Sequence, residues 1–135
     1  MGTWGALAFD NDGAGDWAFG LDDVDDLSLV EATFGELEGV EGDYLDAGVA
    51  CDALAACEVL ARLRGKVGYT NAFTEPVDRW VAAHQIVPPA SLLARAAAAI
   101  DRILGENSEL GELWGEGDGA EWRAAVAALR DRVID

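Results

Sequence analysis

The sequence predicts an all-α fold: a single-domain orthogonal bundle of five to seven helices with an irregular N-terminal arm. Three observations lead there. Apolar residues recur at spacings of three and four along most of the chain, no stretch alternates apolar and polar residues as a half-buried strand would, and Gly65, Pro88-Pro89 and Gly105 punctuate the periodic stretches. With 135 residues, 51% of them apolar, the chain is long enough for one sizeable core and too short for two ordinary domains. Five tryptophans, Trp4, Trp17, Trp80, Trp114 and Trp122, add anchors that bury about 150–250 Å² each.

Residues 1–11 carry Gly2, Gly5, Trp4 and Phe9, which suits an arm packing two aromatics onto the helices. Asp10, Asn11 and Asp12 follow. Short carboxylates and amides bond backbone N–H groups two or three residues on, so this cluster predicts a turn and an N-cap, with Asp16 in the first helical turn. Gly13 and Gly15 would each cost about 1 kcal/mol in a helix interior, which places them at its start. From Asp22 to Leu37, Val24, Leu27, Val30 and Phe34 mark one helical face, with Asp23, Asp25, Asp26 and Glu31 mostly on others.

The stretch from Asp43 to Gly65 is apolar on nearly every side, with Asp46, Asp52 and Glu58 spread around the circumference, as expected of a central helix. Its alanines admit close neighbours, and Gly65 stands where a C′ glycine would end it. Cys51 and Cys57 lie six apart on it, about 120° apart around the axis, so they cannot pair and are expected as buried thiols. Residues 66–73 read as a loop. From Thr74 to Gln85, Val77, Trp80, Val81 and His84 share a face, His84 partly buried near the helix end.

Pro88-Pro89 opens the next helix, in which Leu93, Ala96, Ala97, Ile100, Ile103 and Leu104 repeat at helical spacing and Gly105 closes the run. Asn107 or Ser108 then caps a short helix bearing Glu109 in its first turn and presenting Leu110, Leu113 and Trp114. Asp118 and Glu121 have capping-box spacing ahead of a last helix marked by Trp122, Val126, Leu129 and Val133, with Arg130 and Arg132 near its negative end.

Charge is distributed unevenly. The first 61 residues hold fifteen Asp and Glu and no Lys, Arg or His; the remainder holds eleven acids and all nine bases, so the net of −17 divides as −15 and −2. Phosphate neutralisation needs a basic surface, and Arg62, Arg64 and Lys66 form only one small cluster, better suited to the central helix's end or to the acidic half; nucleic acid is not an expected partner. No run approaches the ~18 apolar residues of a membrane span, and residues 1–30 lack the basic and apolar regions of a signal peptide, so the expected location is cytoplasmic, with no membrane role.

Candidate chemistry is sparse. One histidine, no C-x-x-C and no phosphate-binding glycine loop argue against a zinc site, a nucleotide loop or ordinary acid–base catalysis. Asp10, Asp12, Gly15 and Asp16 align with positions of a calcium loop, but Ala14, Ala18 and Leu21 stand where further ligands belong. No catalytic residue, cofactor or resident metal is expected.

Gly2-Thr3-Trp4-Gly5, Phe9-Asp10-Asn11-Asp12 and Asp16-Trp17, together with Asn107-Ser108-Glu109-Leu110, Glu112-Leu113-Trp114 and Glu121-Trp122, resemble the opening and closing signatures of a bacterial domain-of-unknown-function family, 4259. The likeness spans essentially the whole chain, with local departures at Leu7, Ala8 and Gly13. It implies a small, mostly helical, stand-alone bacterial cytoplasmic protein and brings no activity or catalytic residues with it.

The functional expectation is a non-enzymatic binding or inhibitor-type module. Its acidic half, with Asp10, Asp12, Asp16, Asp22, Asp23, Asp25 and Asp26 as candidate contacts, would dock a basic protein partner. The alternatives are a metal-dependent enzyme built on a carboxylate cluster, or an acidic soluble domain with no dedicated recognition site.

Overall fold

Helix starts in this chain are set by short polar side chains and by prolines. The computed structural model describes residues 7–9, 11–40, 42, 44–115 and 119–135, and among them seven α-helices: α1 (Asp12–Phe19), α2 (Ser28–Glu38), α3 (Ala47–Leu63), α4 (Glu75–Ala83), α5 (Ala90–Leu104), α6 (Glu109–Leu113) and α7 (Gly119–Ile134). No strand forms among the described residues, so the all-α bundle is the fold. Trp4, Asp10, Asp43 and Asp118 lie outside the described residues.

Asn11 caps α1 by accepting the Ala14 N–H at 2.8 Å, Asp46 caps α3 through the Gly48 and Val49 N–H groups, and Ser108 caps α6 through Gly111. Pro89 precedes α5, while Pro76 occupies the first turn of α4, where its missing N–H costs nothing. A parallel bridge between Leu45 and Ser108 ties the approach to α3 to the start of α6, and the Glu109 carboxylate accepts the Ala47 N–H at 2.8 Å. Two helix starts far apart in sequence are thereby fixed together.

Helix α3 is the central element. It packs against each of the other six helices, and every residue from Ala53 to Arg62 is buried. Alanines at 50, 53, 55, 56 and 61 keep its girth small, so α2 and α7 approach closely; burial of Leu54, Val59 and Leu60 contributes about 1.5–3 kcal/mol each. Its end is a Schellman turn: the Lys66 N–H donates to the Ala61 carbonyl at 2.9 Å, the Gly65 N–H to that of Arg62 at 3.0 Å, and Gly65 takes φ 78°. The apolar side chains of all seven helices join one buried cluster, from Phe9 to Val133.

Several expectations are corrected. The helix expected over Asp22–Leu37 begins only at Ser28: Gly20–Asp23 is a 3-10 turn, Val24 is extended, and its carbonyl accepts the Trp80 indole N–H at 2.9 Å. Four aspartates within five positions have poor helix propensity and repel one another, and the carboxylate of Asp26 instead accepts the Ser28 N–H at 3.0 Å. Asp12, not Asp16, stands in the first turn of α1. Asp46 is a cap rather than part of the α3 circumference, and Glu58 is fully buried. On α5 the deepest face is Leu92, Ala96, Ala99, Ile100 and Ile103, with Leu93, Ala97 and Leu104 at its edge; Leu113 of α6 is exposed.

Candidate functional site

Asp12 and Asp16 project from α1, Asp22 and Asp23 from the 3-10 turn, and Asp25 and Asp26 from the bend that follows; all six are exposed. They divide by partner. Asp25 meets His84 at 3.2 Å and Asp26 supports the start of α2, whereas none of Asp12, Asp16, Asp22 and Asp23 is paired with a base among the described residues. Hydrogen bonds from Ser28, side chain first and then backbone, hold the Asp26 carboxyl below its ordinary range.

The acidic surface reaches further than the expected residues. Asp52 on α3 is partly buried, and desolvation first, then the charges of Glu36 on α2 and Asp16 on α1, raise its pKa from 3.8 to about 6. Three helices thus place carboxylates within electrostatic reach of one another. Nothing local in the sequence around Asp52 signals this, because the crowding exists only once α1 and α2 fold onto α3. A folded-state pKa above the unfolded one means that the native protein binds the proton more tightly. Its contribution to stability is therefore fully present below about pH 4 and is lost as pH rises through about 6. Asp52→Asn is expected to raise the melting temperature at neutral pH and to flatten its pH dependence across that window; equal melting temperatures for both proteins at pH 7 would contradict the assignment.

The cations are disposed differently. Each of the eight arginines is engaged internally. Arg64 donates to the Arg132 and Val133 carbonyls at the end of α7, Arg102 to the Leu37 carbonyl at the end of α2 at 2.8 Å, and Arg123 to the Leu104 carbonyl at the end of α5 at 3.1 Å. These guanidiniums satisfy helix-terminal carbonyls and complement the negative dipole ends. Arg95 pairs with Glu38 at 2.8 Å, Arg130 with Asp101 at 2.9 Å, and Arg79 with Glu75 at 3.4 Å. The cluster at 62–66 does not simply close its own helix, since Arg62 faces acids and Arg64 closes α7.

Beneath the surface, α3, α4 and α7 meet at a buried ion network that sequence reasoning missed. Both oxygens of Glu58 accept from Arg132, at 2.7 and 2.9 Å, and Oε1 also accepts from Arg62 Nε at 3.2 Å. Arg62 continues to Asp78 and to the Tyr69 carbonyl, and lies over the Tyr69 ring at 5.1 Å. A Cβ on Gly68 would lie 2.6 Å from the Arg132 guanidinium carbon, so a side chain there would have to displace that guanidinium. The available signal was an acid in an apolar helix with an arginine four residues on. The network opens onto a cavity of about 30 Å³ lined by Leu54, Tyr69, Trp114 and Trp122, among others, which is room for a water or two.

Cys51 and Cys57 are both free and buried, and burial lifts the Cys51 thiol to about 11 and Cys57 further still. Neither is an activated nucleophile. Residues 12–19, which include most of the calcium-loop alignment, are helical, and among the described residues no three His, Cys, Asp or Glu side chains converge as metal ligands. No helix of the described residues is long and apolar enough to cross a membrane.

Fold and surface together define a small helical domain whose arginines bond to its own carbonyls and carboxylates, while Asp12, Asp16, Asp22 and Asp23 are exposed with no ion-pair partner among the described residues. The chain belongs to the domain of unknown function family DUF4259, which it matches over residues 2–125. No curated protein and no solved structure matches it.

Proposed function

We propose that this chain is a non-enzymatic cytoplasmic binding module that docks a basic protein partner through its amino-terminal carboxylates. One observation carries the reading: the arginines are consumed by internal carbonyls and ion pairs, while Asp12, Asp16, Asp22 and Asp23 are exposed and, among the described residues, unmatched by a base. A surface of one sign steers association with an oppositely charged partner and makes it sensitive to salt. The raised thiol pKa values speak against a cysteine nucleophile as the alternative.

The test uses two variants in which four exposed acids are neutralised. One carries Asp12→Asn, Asp16→Asn, Asp22→Asn and Asp23→Asn; the other carries Glu106→Gln, Glu121→Gln, Asp131→Asn and Asp135→Asn from the opposite half. The immobilised native chain is expected to retain a discrete basic protein at about 20 mM salt and to release it at about 500 mM, where the Debye length falls from roughly 20 Å to 4 Å. The first variant should lose that partner and the second keep it. Equal losses in both would leave bulk charge as the explanation and end the docking assignment.

A further inference from the structure

His84 closes α4, and both of its ring nitrogens face hydrogen-bond acceptors. Nδ1 lies 2.9 Å from the Trp80 carbonyl oxygen and Nε2 3.2 Å from Oδ1 of Asp25. A neutral imidazole has one N–H. If Nδ1 carries it toward the carbonyl, the Nε2 lone pair points at a carboxylate; only the imidazolium donates to both. The ring also stacks on Trp80, with centroids 4.5 Å apart and planes inclined by 20°, and the Trp80 indole N–H holds the Val24 carbonyl at 2.9 Å. One indole–imidazole pair therefore grips the bend after the 3-10 turn twice, through its backbone at Val24 and through its carboxylate at Asp25.

We propose that His84 is a proton-operated latch that fastens the acidic bend at residues 24–27 to the end of α4 when the ring is an imidazolium, and frees Asp25 when it is not. Asp25 is 99% exposed, with His84 as its one ion-pair partner among the described residues. Other charged groups on the packed elements are turned elsewhere or stand further along the chain. On α4, Asp78 meets Arg62 and Arg79 meets Glu75; on α3, Arg62 is held by Glu58; on α1, Asp16 acts on Asp52; Asp22 and Asp23 occupy the 3-10 turn. The hydrogen bond to the Trp80 carbonyl, and after it the Asp25 contact, raise the pKa of His84 above 6.5 against the opposing effect of burial. The latch's contribution to stability is thus fully present below the unfolded-state pKa and is lost as pH rises through the native value, where the latch opens. It operates whether or not the acidic face has a partner.

His84 is the chain's sole histidine, so its ring resonances are assigned without ambiguity. An NMR titration of the native chain is expected to place the midpoint above ~6.5, and Asp25→Asn to lower it. Amide protection of Val24 and Ser28, whose N–H groups donate to the Leu21 carbonyl and the Asp26 carboxylate, corrected for the intrinsic pH dependence of exchange, should be severalfold greater below the midpoint than above it in the native chain, and level in Asp25→Asn and His84→Gln. A midpoint at or below ~6.5, an unmoved midpoint in Asp25→Asn, or protection that ignores the titration would each overturn the latch.

Discussion

Glu58→Ala is expected to lower the unfolding free energy by roughly 3–5 kcal/mol, the cost of breaking a buried ion pair by removing one partner. Glu58 is 1% exposed and receives three hydrogen bonds from two guanidiniums, one of them the two-pronged contact of Arg132. Without the carboxylate, Arg132 keeps only the Lys66 carbonyl, while Arg62 retains Asp78 and the Tyr69 carbonyl and so limits the damage. Glu58→Gln preserves shape but must turn an NH₂ group toward a guanidinium, so it should cost nearly as much. Urea denaturation with an unchanged slope measures the effect directly. A loss below about 1 kcal/mol would show that both arginines reach water on their own and that the network does not hold α7 to α3.

Phe34→Ala should cost about 3–5 kcal/mol, through lost transfer free energy and through the cavity it leaves. The ring is fully buried on α2 where that helix lies against α3, whose alanines cannot expand to fill the space. Phe19 supplies the control. It is 63% exposed at the end of α1, and Phe19→Ala should change stability by no more than about 0.5 kcal/mol. Comparable losses at the two positions would mean that the α2–α3 contact is not where this fold stores its packing energy.

Much of the helical architecture was legible because it is locally encoded. Gly65 and the Ser108 cap sit where expected, and Trp122, Val126, Leu129 and Val133 line the buried face of α7, since turn chemistry and period 3.6 are properties of short segments. The failures share a cause. Val24 left its helical pattern because a tryptophan 56 residues away claimed its carbonyl, and Glu58 left the surface because an arginine 74 residues away reached it. At the acidic face, the expected residues are exposed where they are described, but the coupling of Asp16, Glu36 and Asp52 depends on how three helices converge. Spacing along one segment carries no information on that.

The guanidiniums of Arg64, Arg102 and Arg123, each seated on the last carbonyls of another helix, give this polyanion an unexpected vulnerability. Its surplus charge can drift at exposed carboxylates that hold no helix start, ion pair or hydrogen bond, while its scarce cations behave as rivets. A lysine in any of the three places would keep the formal charge but replace the rigid planar fork with a flexible, strongly hydrated ammonium. Changes in isoelectric point would therefore come cheaply through carboxylates and dearly through arginines, whatever the chain binds.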